Sequence, residues 1–232
     1  MKRIYLGILL IIGLILVGCG GTETAPAAQD VQLTPLSAAD LGIEKSELSV
    51  QAPGDPIVFP LLSLVAGIGL NTPAGDGLTA GTELLRHFNS LAQFDPLTAE
   101  IDANPNFRQD ATWRFVRGLA TDNEACFSIE SINFPGQFLR HADFRVRIDP
   151  NDGSALFAAD ATWCTRASLD GRTDTGEGVA AFESFNFPGY YMRRLDRDVW
   201  LARPDGASPV NTPNGFAGDT TWGFFEPPAP PQ

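Results

Sequence analysis

The chain has 232 residues, a formal net charge of −12 and 44% hydrophobic residues. An acidic surplus of that size repels polyanions and excludes nucleic acid as a partner. Three cysteines and two histidines, without Cys-x-x-Cys or His-x-x-x-His spacing, offer no zinc ligand set, and no cofactor of any kind is expected.

Lys2 and Arg3 precede an uncharged apolar run from Ile4 to Val17, the pattern of a secretory signal. The run is short for a spanning helix of ~20 residues. It ends in Leu16-Val17-Gly18-Cys19, which resembles the lipobox of bacterial lipoproteins. Residues 1–18 are therefore expected to be a lipoprotein signal peptide, with Cys19 as the lipidated first residue of the mature chain. The alternative is an uncleaved anchor. In either case the remainder is expected outside the cytoplasm, held at the bacterial cell membrane.

Residues 19–56 are rich in Gly, Thr, Ala, Pro and Gln and read as a flexible tether. Residues 57–226 are long enough for one domain with its own core, expected to be monomeric. Residues 227–232 form a Pro-rich tail. With Cys19 assigned to lipid, Cys126 and Cys164 remain as an even pair in an oxidising compartment, so a disulfide between them is expected.

One motif occurs three times in this domain: Phe107-Arg108-Gln109-Asp110-Ala111-Thr112-Trp113, Phe157-Ala158-Ala159-Asp160-Ala161-Thr162-Trp163 and Phe216-Ala217-Gly218-Asp219-Thr220-Thr221-Trp222. The shared pattern is Phe-x-x-Asp-x-Thr-Trp. Its aspartates stand 50 and 59 residues apart, and the longer interval holds a Pro, Asn and Gly-rich insertion between Ala207 and Gly215. Upstream of the second and third copies lies Glu130-Ser131-Ile132-Asn133-Phe134-Pro135-Gly136-Gln137-Phe138-Leu139-Arg140-His141, repeated as Glu183 to Arg194. The first copy keeps only Leu85-Arg86-His87 and has Gly81-Thr82-Glu83-Leu84 in place of Asn-Phe-Pro-Gly.

Within a copy the pattern is that of strands. Phe144 to Ile148 alternates strictly, and Pro150-Asn151-Asp152-Gly153 supplies a turn. No segment carries a long capped helical stripe, so little helix is expected. About four strands in each of three copies gives about twelve. Three copies are too few for a propeller and too irregular for a solenoid, which leaves a closed threefold barrel with hairpins. The Phe and Trp of the motif are expected in its shared core.

At Asn-Phe-Pro-Gly-x-Phe/Tyr-Leu-Arg-His, then Ile148 to Phe157 and Asp160-Ala161-Thr162-Trp163, the sequence resembles the C-terminal domain of arabinofuranosidase B, carbohydrate-binding module family 42. The resemblance covers most of Pro60 to Glu226. It implies an all-β fold, a β-trefoil of three repeats, each with a shallow pocket for a terminal arabinofuranose of arabinoxylan or arabinan. In that family the pocket uses the His after Leu-Arg and the Asp of the Asp-Ala-Thr motif.

Carried over, these roles fall on His141 and Asp160 in the second copy and on His87 and Asp110 in the first. The third copy keeps Asp219 and Tyr191 but has Arg194 where His is expected. Both histidines of the chain thus follow Leu-Arg at equivalent positions. A carboxylate and an imidazole suit sugar hydroxyls. From the repeat alone, Asp110, Asp160 and Asp219 serve equally well as turn caps bonded to nearby amides.

The resemblance implies binding of arabinose-containing polysaccharide without cleavage. Glycoside hydrolysis needs two carboxylates flanking one bond, and each motif supplies one. The repeated Glu130 and Glu183 sit in strand-like runs beside a turn and read as structural. The alternatives are an α-L-arabinofuranosidase acting in L-arabinose metabolism and a structural or protein-interaction domain.

Overall fold

The computed structural model describes residues 58–66, 83–96, 104–171 and 179–225. The signal peptide, Cys19, the tether and the Pro-rich tail lie outside the described residues. Alternating apolar positions produce twelve strands here: β1 (Val58–Ala66), β2 (Glu83–Phe88), β3 (Leu91–Pro96), β4 (Trp113–Arg117), β5 (Cys126–Ser131), β6 (Gln137–Ala142), β7 (Arg145–Pro150), β8 (Trp163–Arg166), β9 (Val179–Ser184), β10 (Tyr191–Leu195), β11 (Asp198–Ala202) and β12 (Trp222–Phe225). Among the described residues, three short helices, α1 (Pro105–Asp110), α2 (Ala155–Asp160) and α3 (Phe216–Asp219), and a 3-10 turn at Pro209–Asn211 interrupt them.

The expectation of a β-trefoil of three repeats is corrected by the strand pairing. The strands do not form three self-contained, equivalent units. One antiparallel sheet runs β10-β11-β3-β2-β1-β12-β9-β8-β5-β6-β7; β4 joins β1 to β5, and the contacts β10–β9, β11–β7 and β3–β7 close it on itself. The result is an all-β closed antiparallel barrel with extra strands. A copy of some fifty residues cannot cover its own strand edges, so each seeks partners in its neighbours. The copies have also diverged: β1 has nine residues and an irregularity between Val58 and Leu61, whereas β5 and β9 have six residues each.

The core is aromatic. Trp113, Trp163 and Trp222 are fully buried, and their indole Nε1 groups donate to the carbonyls of Leu85, Leu139 and Met192, each at 3.0 Å. Each tryptophan thus fastens the last strand of its copy to the strand carrying Leu-Arg or Met-Arg. Phe115, Phe182 and Phe224 pack ring against ring between them, with centroids 5.8 to 6.1 Å apart. Phe157 is buried as well, but with Phe138, Val116 and Ala161 in a separate small cluster. It belongs to a helix outside the main core, which a strand reading of the motif could not foresee.

Side-chain caps start the helix in the first two copies of the motif. The Asn104 side chain accepts from the amides of Asn106 and Phe107 and caps α1, and Ser154 accepts from Phe157 N and caps α2. Phe and Asp then lie three residues apart and share one helix face. The following Thr112, Thr162 and Thr220 donate to Arg108 O, Ala158 O and Phe216 O, each at 2.8 Å, and end the turn. Cys126 and Cys164 are disulfide-bonded across β5 and β8, with their Cα atoms 3.9 Å apart. The bridge joins the first and last strands of the second copy.

Candidate functional site

His87 and His141 occupy equivalent places on β2 and β6, each just before a two-residue hairpin turn. Asp110 and Asp160 end α1 and α2. What brings these pairs together is an asparagine from the next copy. Asn133 follows β5, and β5 pairs with β4 so that Ser131 stands opposite Trp113. This register carries Asn133 back over the first copy.

The Asn-Phe-Pro-Gly run then reverses the chain: Gln137 N donates to Phe134 O at 3.0 Å, with Pro135 and Gly136 (φ 82°) as the two central residues. Glu130 holds this turn, accepting from Gly136 N at 2.7 Å and from Arg114 at 3.1 Å. Glu183 does the same with Gly189 and Arg166. Both glutamates are thereby structural.

In the first site Asn133 Nδ2 donates to Asp110 Oδ1 at 2.8 Å, and Arg86 Nη2 donates to Asp110 Oδ2 at 2.7 Å. Asn133 Oδ1 therefore faces His87 Nε2, at 2.9 Å, and also accepts from Ser131 Oγ at 2.8 Å. Nε2 carries the hydrogen in this geometry and Nδ1 keeps a lone pair. The second site repeats the relay: Asn186 Nδ2 to Asp160 Oδ1 at 2.7 Å, Arg140 Nη2 to Asp160 Oδ2 at 2.8 Å, and His141 Nε2 against Asn186 Oδ1 at 2.9 Å. Burial pushes both imidazoles below their ordinary value of 6.5 and keeps them neutral, although the neighbouring Asn and Asp oppose this. Phe134 and Phe187 stand edge-on to the two histidines at 5.3 and 5.1 Å and are partly exposed.

Each site opens into a cavity. One of about 690 Å³ is lined by Arg86, His87, Asp110, Asn133, Phe134, Gln137 and neighbours; the other, about 420 Å³, by Arg140, His141, Phe144, Asp160, Phe187 and neighbours. A polar relay fixed in position beside an exposed aromatic ring can orient a small polyhydroxylated ligand. The turn-cap role left open for the aspartates applies to neither site, because both oxygens of Asp110 and of Asp160 are engaged by arginine and asparagine side chains.

The third copy is built differently. Arg194, at the histidine position, pairs with Glu83, donates to Asp196 O at 2.9 Å and lies 4.8 Å over the Phe94 ring. Arg193 is 1% exposed and donates to Asp219 Oδ2 through Nε and Nη2 and to the carbonyls of Val210, Thr212 and Asn214. The insertion noted in the sequence is thus tied down on this arginine. Asp219 contacts it rather than a histidine relay. Tyr191 packs edge-on against Phe216 at 6.2 Å, as Phe138 does against Phe157, and burial pushes its phenol up to about 12.

Sequence reasoning missed Asn133, Asn186, Ser131, Ser184, Arg86 and Arg140 as site members. A signal was present: histidine occurs in copies one and two, whereas asparagine occurs in copies two and three. That offset by one copy is the cross-copy sharing seen in the structure.

Fold and site together define an all-β module with two repeated polar pockets. The chain belongs to the alpha-L-arabinofuranosidase B (ABFB) domain family, whose model matches residues 78–224. It is 28% identical over 215 residues to the probable alpha-L-arabinofuranosidase B of Aspergillus clavatus, covering 90% of this chain and 40% of that protein. To the alpha-L-arabinofuranosidase B of Penicillium canescens it is 32% identical over 149 residues, covering 64% and 27%. The chain thus spans about two fifths, or less, of these relatives' length.

Among solved structures, a GH54 arabinofuranosidase soaked with a cyclic sulfate inhibitor aligns with a TM-score of 0.60 and 25% identity, over 73% of this chain and 31% of that one. An arabinofuranosidase complexed with arabinofuranosyl-α-1,2-xylobiose aligns with a TM-score of 0.60 at 24% identity, over 74% and 32%, and shows the fold. The barrel with extra strands is therefore the fold shared with about a third of each of these chains.

Proposed function

We propose that the chain is a non-catalytic carbohydrate-binding module of the family 42 kind, taking terminal arabinofuranose units of arabinoxylan or arabinan in two pockets. The observation that carries this reading is the recurrence of one His–Asn–Asp–Arg relay at both cavities. Nδ1 of each histidine and the outer surfaces of the Arg and Asp groups supply an acceptor, a donor and an acceptor for sugar hydroxyls, with Phe134 or Phe187 as apolar wall. The names of the relatives support the alternative, arabinofuranosidase activity. Against it stands the first cavity, where Asp110 is the one carboxylate among the described lining residues.

Titration with arabinofuranosyl-xylobiose is expected to give two sites per chain, and a nitrophenyl arabinofuranoside is expected to remain uncleaved. Because both histidines have lowered values, binding should stay level down to about pH 6.5 and weaken as pH falls further and Nδ1 takes up a proton. Folding stability should follow the same sign, since the unfolded chain binds those protons first. Absence of binding at pH 7 would refute the proposal.

The module is carried outside the cytoplasm on lipidated Cys19, a reading supported by Leu16-Val17-Gly18-Cys19. Cys19→Ser is expected to move the protein from the detergent phase to the aqueous phase on partitioning; unchanged partitioning would refute lipidation.

A further inference from the structure

The two pockets share their relay but differ at the rim. Both hairpin tips hold two non-glycine residues at positive φ: Asn89 and Ser90 beside the first pocket, Asp143 and Phe144 (φ 60°) beside the second. Where the first pocket has Ser90 and Gln137, the second has Phe144 and Tyr190. Phe144, Phe187 and Tyr190 form a triangle of rings with centroids 5.8 to 6.0 Å apart. Phe144 is 46% exposed and Phe187 38% exposed.

A bulky aromatic at positive φ is strained, and neither of these two rings is enclosed by the core. The cluster continues directly into the pocket through Phe187, which stands edge-on to His141.

We infer that this triangle is a second subsite of the His141–Asp160 pocket, taking the six-membered ring sugar to which the arabinofuranose is attached. The inference rests on the reading of the pockets as arabinofuranose sites. A pyranose ring presents a flat array of C–H groups with hydroxyls at its edge, which matches the exposed rings of Phe144 and Phe187, backed by half-buried Tyr190, adjoining a polar pocket. The first pocket, with Ser90 and Gln137 at the same places, recognises the terminal sugar alone.

The test uses the full chain and two probes, methyl α-L-arabinofuranoside and arabinofuranosyl-α-1,2-xylobiose. The second pocket should hold the trisaccharide roughly tenfold more tightly than the glycoside, as expected for a modest apolar area buried on aromatic rings. Phe144→Ser and Tyr190→Gln, which install the residues of the first pocket, should each reduce that difference and together abolish it, with glycoside affinity unchanged in Tyr190→Gln. Phe144→Ser relieves the strained tip, so its melting temperature should not fall, and this single variant carries the test alone if the double variant fails to fold.

Glycoside binding without any preference for the trisaccharide overturns the subsite and leaves the pocket reading intact. A preference that survives both substitutions also overturns it. Failure of both probes to bind overturns the subsite and the pocket reading together.

Discussion

Replacing Asp160 by alanine is expected to lower folding stability by about 3 kcal/mol and to weaken arabinofuranose binding at the second pocket by about 1.5 to 3 kcal/mol. On the ligand role that the family resemblance implies, this substitution should spare the fold, because the aspartate is then a rim acceptor. The geometry changes that expectation. Asp160 is buried, one oxygen holds Arg140 and the other holds Asn186, and Asn186 in turn orients His141. Removing the carboxylate leaves Arg140, whose side chain is 19% exposed, with only the longer contact to Asp149 at 3.8 Å as an ion pair, and releases the asparagine.

Asn186→Ala separates the two effects. It keeps the Arg140–Asp160 pair and removes the nearer of the histidine's two Nε2 partners, leaving Ser184 at 3.2 Å, so affinity should fall with a smaller change in melting temperature. Denaturation and titration on the same preparations check both statements. An Asp160→Ala protein that binds the sugar normally in its second pocket would remove this residue from the site.

Arg193→Ala should be more damaging to the fold, by about 4 kcal/mol or more, and should leave both pockets working in the fraction that folds. This guanidinium is more deeply buried than Arg86 or Arg140, and it serves Asp219 and three backbone carbonyls of the insertion. Its loss leaves a carboxylate and three acceptors without their donor. Arg193→Lys should restore little, since one ammonium cannot span the fork of directions that a guanidinium covers. Urea unfolding gives the stability change, and a loss below about 1 kcal/mol would show that the insertion closes over this position without the arginine.

Much of the site is legible in the residues themselves. His87 and His141 follow Leu-Arg at equivalent repeat positions and do come together with Asp110 and Asp160, at 3.5 Å from Nε2 to Oδ1 in both cases. Cys126 and Cys164 pair as count and compartment lead one to expect. The third copy's departure is visible as Arg194 in the place of histidine, but its consequence is not. Taken as a lost ligand, Arg194 instead joins Glu83, which stands in the first copy's substitute for Asn-Phe-Pro-Gly. The two irregularities compensate each other, and only their adjacency in space reveals it.

By itself the sequence determined the all-β composition, the threefold recurrence of Phe-x-x-Asp-x-Thr-Trp, the disulfide pair and the equivalent places of the two histidines, because these depend on residue type and spacing along one chain; the two His–Asp pairs came from the family resemblance. The tertiary structure alone decided three further matters. It placed the motif on short helices, since caps such as Asn104 and Ser154 outweigh a strand pattern only where Phe107 and Phe157 find an apolar surface to cover. It joined the copies into one closed antiparallel sheet rather than three equivalent units, since strand edges are satisfied by whichever neighbour lies alongside. It built each pocket from two copies, because β4 pairs with β5 and β8 with β9, and so Asn133 and Asn186 reach the aspartate of the copy before their own.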